Sequence, residues 1–244
     1  MSATERHYSI DAGVFSLFPS YVRGVVLAFD VKNGPSSPEL VALLREAERS
    51  VGEKADAASL PAHPRIASWR EAYRTLGVKP NDFRPSIEAM ARRVVRGQQI
   101  PSISALVDIG NVLSLRHLVP AGAHAIDVVT GDLELKRARG EEEFVPFGGT
   151  EPERPDPGEV VFVEGKTVLT RRWSWRQANH TLTLPETTAI ELNVDALPPV
   201  GREEVEAICE EAVGLIHRFC GGRLGIRVLD RETPRIPLTL PVPA

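Results

Sequence analysis

Four short stretches of the sequence bring together side chains able to do chemistry. In "VDIGN", Asp108 and Asn111 sit three residues apart, which puts a carboxylate and an amide on one face of a mostly apolar helix. In "GAHAID", His124 and Asp127 flank the entry to a strand. "FGGT" sets Gly148 beside Gly149, where missing Cβ atoms let a ligand approach the backbone closely. "RRWSWRQ" interleaves Trp173 and Trp175 with Arg172 and Arg176, offering faces for base stacking and forks for phosphate. These types suit holding and orienting a ligand more than attacking it. A plainer account of each is open: Asp108 and Asn111 brace loops, His124 is a satisfied structural histidine, and Gly148-Gly149 is a turn.

Several familiar machineries are missing. There is no Gly-x-Ser-x-Gly elbow, no phosphate-binding glycine loop and no dinucleotide fingerprint. The histidines (7, 63, 117, 124, 180 and 217) show neither His-Glu-x-x-His spacing nor a neighbouring cysteine pair, so neither a metal nor a cofactor is expected.

The formal net charge of −4 argues against a grip on nucleic acid by the whole surface. Of the 29 basic residues only five are lysine (32, 54, 79, 136 and 166), leaving 24 arginines. Arginine's planar fork suits bidentate contacts to phosphate or carboxylate, although GC-rich coding gives the same bias. No apolar run approaches bilayer-spanning length, and the first residues lack the order of a secretory signal. Cys209 and Cys220 lie eleven positions apart in one predicted helix, roughly 16 Å, too far for a disulfide. Reduced thiols in an untargeted chain predict the cytoplasm and no membrane partner.

The positioning elements follow from periodicity. "YVRGVVLAFDV" (21–31) reads as a buried strand. The helix "SPELVALLREAERS" has Ser36 and Glu39 in capping-box spacing, and Ser68 with Glu71 repeats that device before "WREAYRTLG". "PSIEAMARRVVRG" sets Ile87, Met90, Ala91, Val94 and Val95 opposite Arg92, Arg93 and Arg96. "PSISALVDIGNVLSLRHL" is a helix running until Pro120. "AIDVVTGDLELKRA" reads as a hairpin turning at Gly-Asp, and "VVFVEGKTVLTRRW" as a second turning at Glu164-Gly165-Lys166. If "VLTRRWSWRQ" continues as a strand, Leu169, Arg171, Trp173 and Trp175 share one face. Thr170, Arg172, Ser174 and Arg176 then share the other, leaving Arg172 and Arg176 solvated. "TAIELNVDAL" (188–197) is a further strand, residues 201–220 a final helix, and 233–244 an extended strap. Helices first and strands later predict a layered α+β fold, and no boundary divides residues 1–244.

The order "PSISALVDIGN … PAGAHAID … FGGT … ETTAIELNV" resembles the B3/B4 domain of the bacterial phenylalanyl-tRNA synthetase β subunit, over about residues 70 to 200. "RRWSWRQ" is similar to free-standing members of that family. The resemblance implies a layered β/β/α sheet domain and an editing deacylase, which hydrolyses the ester joining a wrong amino acid to tRNA. Residue by residue, it implies His124 as the catalytic candidate, with Gly148, Gly149, Asn111 and Thr188 around the substrate. Asp108 supports the pocket from the same helix as Asn111, and Thr187 precedes Thr188 in the Thr-Thr strand. Where the family reads a tyrosine hydroxyl with glutamate, the simplest alignment puts Asn193 here. Glu191 lies two residues back on the same strand face. Arg172 and Arg176 would meet RNA. The expected partners are the aminoacylated 3′ end of a tRNA and an amino-acid side chain in the pocket. The alternative is a non-catalytic module that binds tRNA or a free amino acid through the same pocket. A ligase is not expected, since no aminoacylation domain accompanies this fold.

Overall fold

The computed structural model describes residues 5–240. Within them run β1 (His7–Ile10), α1 (Ala12–Leu17), β2 (Val22–Phe29), α2 (Pro38–Lys54), α3 (Pro64–Thr75), α4 (Ser86–Val94) and α5 (Ala105–His117). Then come β3 (Ala121–Ala125), β4 (Leu133–Arg137), β5 (Val160–Glu164), β6 (Thr167–Arg171), β7 (Arg176–Gln177) and β8 (Ala189–Ala196). The chain closes with α6 (Arg202–Cys220), β9 (Arg223–Leu229) and β10 (Arg235–Pro237). The fold is mixed α+β. One sheet has the order β10-β1-β4-β5-β6-β7 and the other β3-β8-β2-β9.

β2 lies inside the four-stranded sheet, antiparallel to β8 and β9, which is why its sequence is an almost unbroken apolar run. One face of this sheet is covered by α6, whose Val205, Ile208, Cys209, Ala212 and Ile216 are buried. Gly24 permits that approach: a Cβ there would lie 2.4 Å from the sulfur of Cys209 and 2.7 Å from Val205. The opposite face meets the six-stranded sheet. There the Arg23 guanidinium lies 4.8 Å from the Phe162 ring centre and 5.4 Å from that of Tyr8. The His124 ring stands edge-on to Phe162 at 5.1 Å. The layers are therefore sheet, sheet and helix, with polar side chains enclosed between the two sheets.

Several predicted elements hold their places: β2, the β5–β6 hairpin, β8 and α6. Others need correction. Residues 125–138 are not a hairpin, because β3 pairs with β8 while β4 joins β1 and β5 in the other sheet. The Gly-Asp segment is a crossover between sheets. The Glu164 carboxylate holds it by accepting from the Thr130 and Gly131 amides at 2.6 and 2.7 Å. Ser37, not Ser36, caps α2, accepting from the Leu40 amide at 3.2 Å. Helix α3 begins at Pro64 behind a His63 cap, four residues before Ser68, and α5 begins only at Ala105. Of the proposed tail strap, residues 235–237 form β10, antiparallel to β1, while 241–244 lie outside the described residues.

Candidate functional site

Strand alternation assembles the site. In β2 and β8 the cross-strand partners are Arg23 with Asp195, Val25 with Asn193 and Leu27 with Glu191. β3 adds Gly122 opposite Asn193 and His124 opposite Glu191. Period-two geometry puts all these side chains on the face turned toward the other sheet. Asp195 is the hub. It accepts from the Tyr21 hydroxyl and from Asn193 Nδ2 at 2.8 Å, and its Oδ1 lies 3.5 Å from Arg23 Nε. Tyr21, Arg23, Glu191 and Asp195 are all at least 98% buried.

A cavity of about 270 Å³ opens from this layer. Arg23, Asp195, Asn193 and His124 line it beside Asn111 from α5 and Thr170 from β6. Trp175 from the β6–β7 connection, Arg176 from β7, and Ser86 and Met90 from α4 also line it. Both ring nitrogens of His124 are engaged: Nδ1 lies 2.6 Å from Thr181 Oγ1 and Nε2 lies 3.2 Å from Thr170 Oγ1. Burial, reinforced by the Arg23 charge, pushes the His124 pKa down to about 3, so the ring is neutral at physiological pH. Burial pushes the Glu191 carboxyl the other way, up to about 8, against the pull of Arg23.

The cavity brings His124, Asn193 and Asn111 together. Other predicted residues sit elsewhere. Glu191 is wholly buried and is not part of the lining. Gly148 and Gly149 form a turn clamped by Asn179, which accepts from the Gly148 amide at 3.2 Å and donates to the Gly149 carbonyl at 2.8 Å; neither glycine lines the cavity. Thr188 binds Asp127 Oδ2 through its amide at 2.7 Å, and Thr187 caps the turn at Leu184. Asp108 braces loops, accepting from Ser36 Oγ at 2.6 Å and from the Ile103 amide at 3.0 Å.

"RRWSWRQ" is not a continuous strand. Arg172 and Trp173 take positive φ values of 45° and 64°, and the chain turns back as β7. The turn drives Trp173 into the core against Phe18, Tyr21 and Trp69, with ring centres 4.8–5.1 Å apart. Arg172 is therefore not solvated. Its guanidinium sits 3.7 Å from the Phe83 ring centre and 4.8 Å from that of Trp175, and pairs with Asp156 at 3.4 Å. Arg176 keeps a side chain 42% exposed beside the cavity.

The sequence reading missed Arg23, Tyr21 and Asp195. The available signals were a lone arginine inside an apolar strand and the polar 191, 193, 195 alternation. A larger, open hollow of about 1000 Å³ lies by Asp132, Glu164 and His180. Two of its polar groups are already committed to each other: Glu164 holds the crossover amides and pairs with His180 at 2.8 Å. Among the described residues no group of three or more His, Cys, Asp or Glu side chains converges as metal ligands do, and no helix is long and apolar enough to cross a membrane.

No curated protein matches the chain. Among solved structures it is similar to an N-terminal fragment of the phenylalanyl-tRNA synthetase beta-subunit from Pyrococcus horikoshii, at 10% identity and a TM-score of 0.45. That superposition covers 94% of this chain and 53% of the fragment, so the chain spans about half of its length. The model of the B3/4 domain matches residues 68–221, which include α4, α5, the α5–β3 corner and all of β8. The chain belongs to the B3/4 domain family.

Proposed function

We propose that the protein is an aminoacyl-tRNA deacylase acting in trans, with the amino-acid moiety in the cavity between the sheets. The observation that carries this reading is a small polar cavity bordered by arginine and tryptophan. At about 270 Å³ it lies at the small end of ligand cavities, a size that suits one amino acid. Beside it α4, which contributes Ser86 and Met90 to the lining, carries Arg92 and Arg93. With Arg84 and Arg96 they line a second hollow. A ligand with a small head and a polyanionic body fits that juxtaposition.

Hydrolysis adds water to the ester carbonyl and breaks its bond to the ribose oxygen, releasing amino acid and tRNA. The ester is already activated, so orientation supplies much of the rate. With its pKa near 3, His124 is a poor proton acceptor at neutral pH. Its role is to fix the Thr170 hydroxyl and the ligand by hydrogen bonds. The same property favours a second reading, a module that binds without turnover. Purified protein at one hundredth of the substrate concentration, given a panel of mischarged tRNAs, separates the two. Release of many equivalents of amino acid supports the deacylase. Binding without release supports the module, and neither result removes the tRNA assignment.

The two arginines of the turn are expected to behave differently. Arg172→Ala loses its stacking between Phe83 and Trp175 and about 1–2 kcal/mol of stability, read as a lower melting midpoint. Arg176→Ala leaves the midpoint in place, weakens tRNA binding and flattens its dependence on salt. Equal melting of the two variants would contradict the buried placement of Arg172.

A further inference from the structure

We propose that the arginines around α4 grip the single-stranded 3′ end of the RNA, close to the ester, and that the protein does not hold the folded body of the tRNA. The proposal rests on the preceding reading in taking an aminoacylated RNA end as the ligand of the cavity. Ala89, Arg92 and Arg93 follow the three- and four-residue spacing of one helix face, and Arg96, just past the C-cap Val95, continues it. With Arg84 they border a hollow of about 270 Å³. None of the four arginines forms an ion pair among the described residues. Glu88, the carboxylate of α4 itself, is buried and taken by Arg70 at 2.6 Å. Arg93 Nε donates to the Gln99 carbonyl at 3.1 Å, which holds the side chain and leaves its charge uncompensated. On a chain of net charge −4, that cluster is a local exception.

Helix α4 links this hollow to the cavity. Ser86 and Met90 line the cavity, and Arg93 lies seven and three residues beyond them, on the same side of the helix. At helical rise Ser86 and Arg93 are about 10 Å apart along the axis. A strand whose terminal ester sits in the cavity therefore meets the arginines at its first few phosphates, within the unpaired tail. Arginine suits such a tail, because its planar fork binds phosphate and also stacks on splayed bases. The helix C-terminus favours cations at Arg92 and Arg93, but Arg84 precedes the N-terminus, where the macrodipole disfavours one. A shared anionic ligand accounts for all four. The negative net charge supplies no general attraction for the double-helical body of a tRNA. All tRNAs end in the same 3′ sequence, so a grip confined to that end does not read tRNA identity. Selection then falls to the amino acid in the cavity.

Fluorescence polarisation with three RNAs that carry no amino acid tests the proposal. The first is a single strand ending in the tRNA 3′ sequence CCA. The second is a hairpin bearing that strand as a 3′ overhang, and the third is the same hairpin with a blunt end. The first two are expected to bind within threefold of each other, and the blunt hairpin at least tenfold more weakly. Arg92→Gln, Arg93→Gln and Arg96→Gln combined should weaken the single strand tenfold or more while the melting midpoint changes little. The slope of log affinity against log salt should fall by about 2, or about 0.7 for each charge lost. The same three positions changed to lysine should keep that slope, since it follows charge and not shape. Equal binding of the blunt and overhanging hairpins, an unaltered slope in the glutamine variant, or no binding of the single strand overturns the proposal. Deacylation of mischarged tRNA that the glutamine variant leaves unchanged overturns this inference alone. Arginine-dependent RNA binding without any deacylation overturns only the activity.

Discussion

Arg23→Met is expected to destabilise the protein by about 3–5 kcal/mol at pH 8, the range typical of breaking a buried ion pair. The cause lies less in the lost attraction than in what remains. Asp195 is 1% exposed, and without Arg23 its carboxylate would sit between two sheets with no compensating charge. Burial holds the Asp195 pKa above its ordinary value, and Arg23 is the strongest of the influences that pull it down, ahead of the hydrogen bonds from Tyr21 and Asn193. Removing the cation therefore drives Asp195 to take up a proton, and the penalty should shrink as the pH falls toward 5. Asp195→Asn behaves differently, because arginine has no accessible neutral form, so its cost should change little across the same range. Urea unfolding of both variants at pH 5, 6.5 and 8 reads these trends. A cost for Arg23→Met below about 1 kcal/mol at pH 8 would mean that the pair is more hydrated than its burial indicates.

This pair also shows where sequence reading stops. The strand around Arg23 was legible, because "YVRGVVLAFDV" is apolar on both faces as an inner strand must be. What the arginine does there was not. Its partner lies 172 positions away and is brought opposite only by the antiparallel register of β2 and β8. Asn111 and His124 stood out as polar residues set against apolar structure, Asn193 came from the resemblance in motif order, and the fold sets all three around one cavity. Gly148 and Gly149, read both as a place for close ligand approach and as a turn, form a turn closed by Asn179.

Local signals failed where distant packing overrode them. Gly131-Asp132 has the composition of a hairpin turn, yet β4 pairs with β1, a four-residue strand too short to stand out from its flanks. "RRWSWRQ" alternates like a strand, but burying Trp173 among Phe18, Tyr21 and Trp69 sustains two successive residues at positive φ. Neither residue is a glycine, so nothing local announced the turn. By contrast α6 and the β5–β6 hairpin, whose signals are local and strong, lie where periodicity puts them.

Glu191→Gln is expected to abolish a plateau in the dependence of stability on pH. The wild-type plateau arises from two neighbours shifted in opposite directions. Glu191 is raised from 4.5 to about 8, so it contributes stability fully present below pH 4.5 and lost as the pH rises through 8. His124 is lowered from 6.5 to about 3, so its contribution is fully present above pH 6.5 and lost as the pH falls through 3. Between 4.5 and 6.5 the unfolded chain carries its proton on the histidine and the folded chain carries one on Glu191. The proton counts are equal, and the two contributions cancel in slope. Above 6.5 only the folded chain holds a proton on the pair, and stability falls by about 1.4 kcal/mol per pH unit up to about 8. Below 4.5 the unfolded chain holds one more, and stability falls at the same rate toward acid. With glutamine at 191 only the histidine titrates. The alkaline decline then disappears, and the acid decline begins near pH 6.5 instead of 4.5. Other carboxylates, such as Glu211 beside His117 and Glu142 beside Lys136, titrate alike in both proteins and cancel in the difference. Unfolding free energies measured in urea from pH 4 to 8.5 give that difference directly. If the wild-type and Glu191→Gln profiles run parallel, Glu191 is ionised in the folded protein at neutral pH, and the layer between the sheets holds two carboxylates against one arginine.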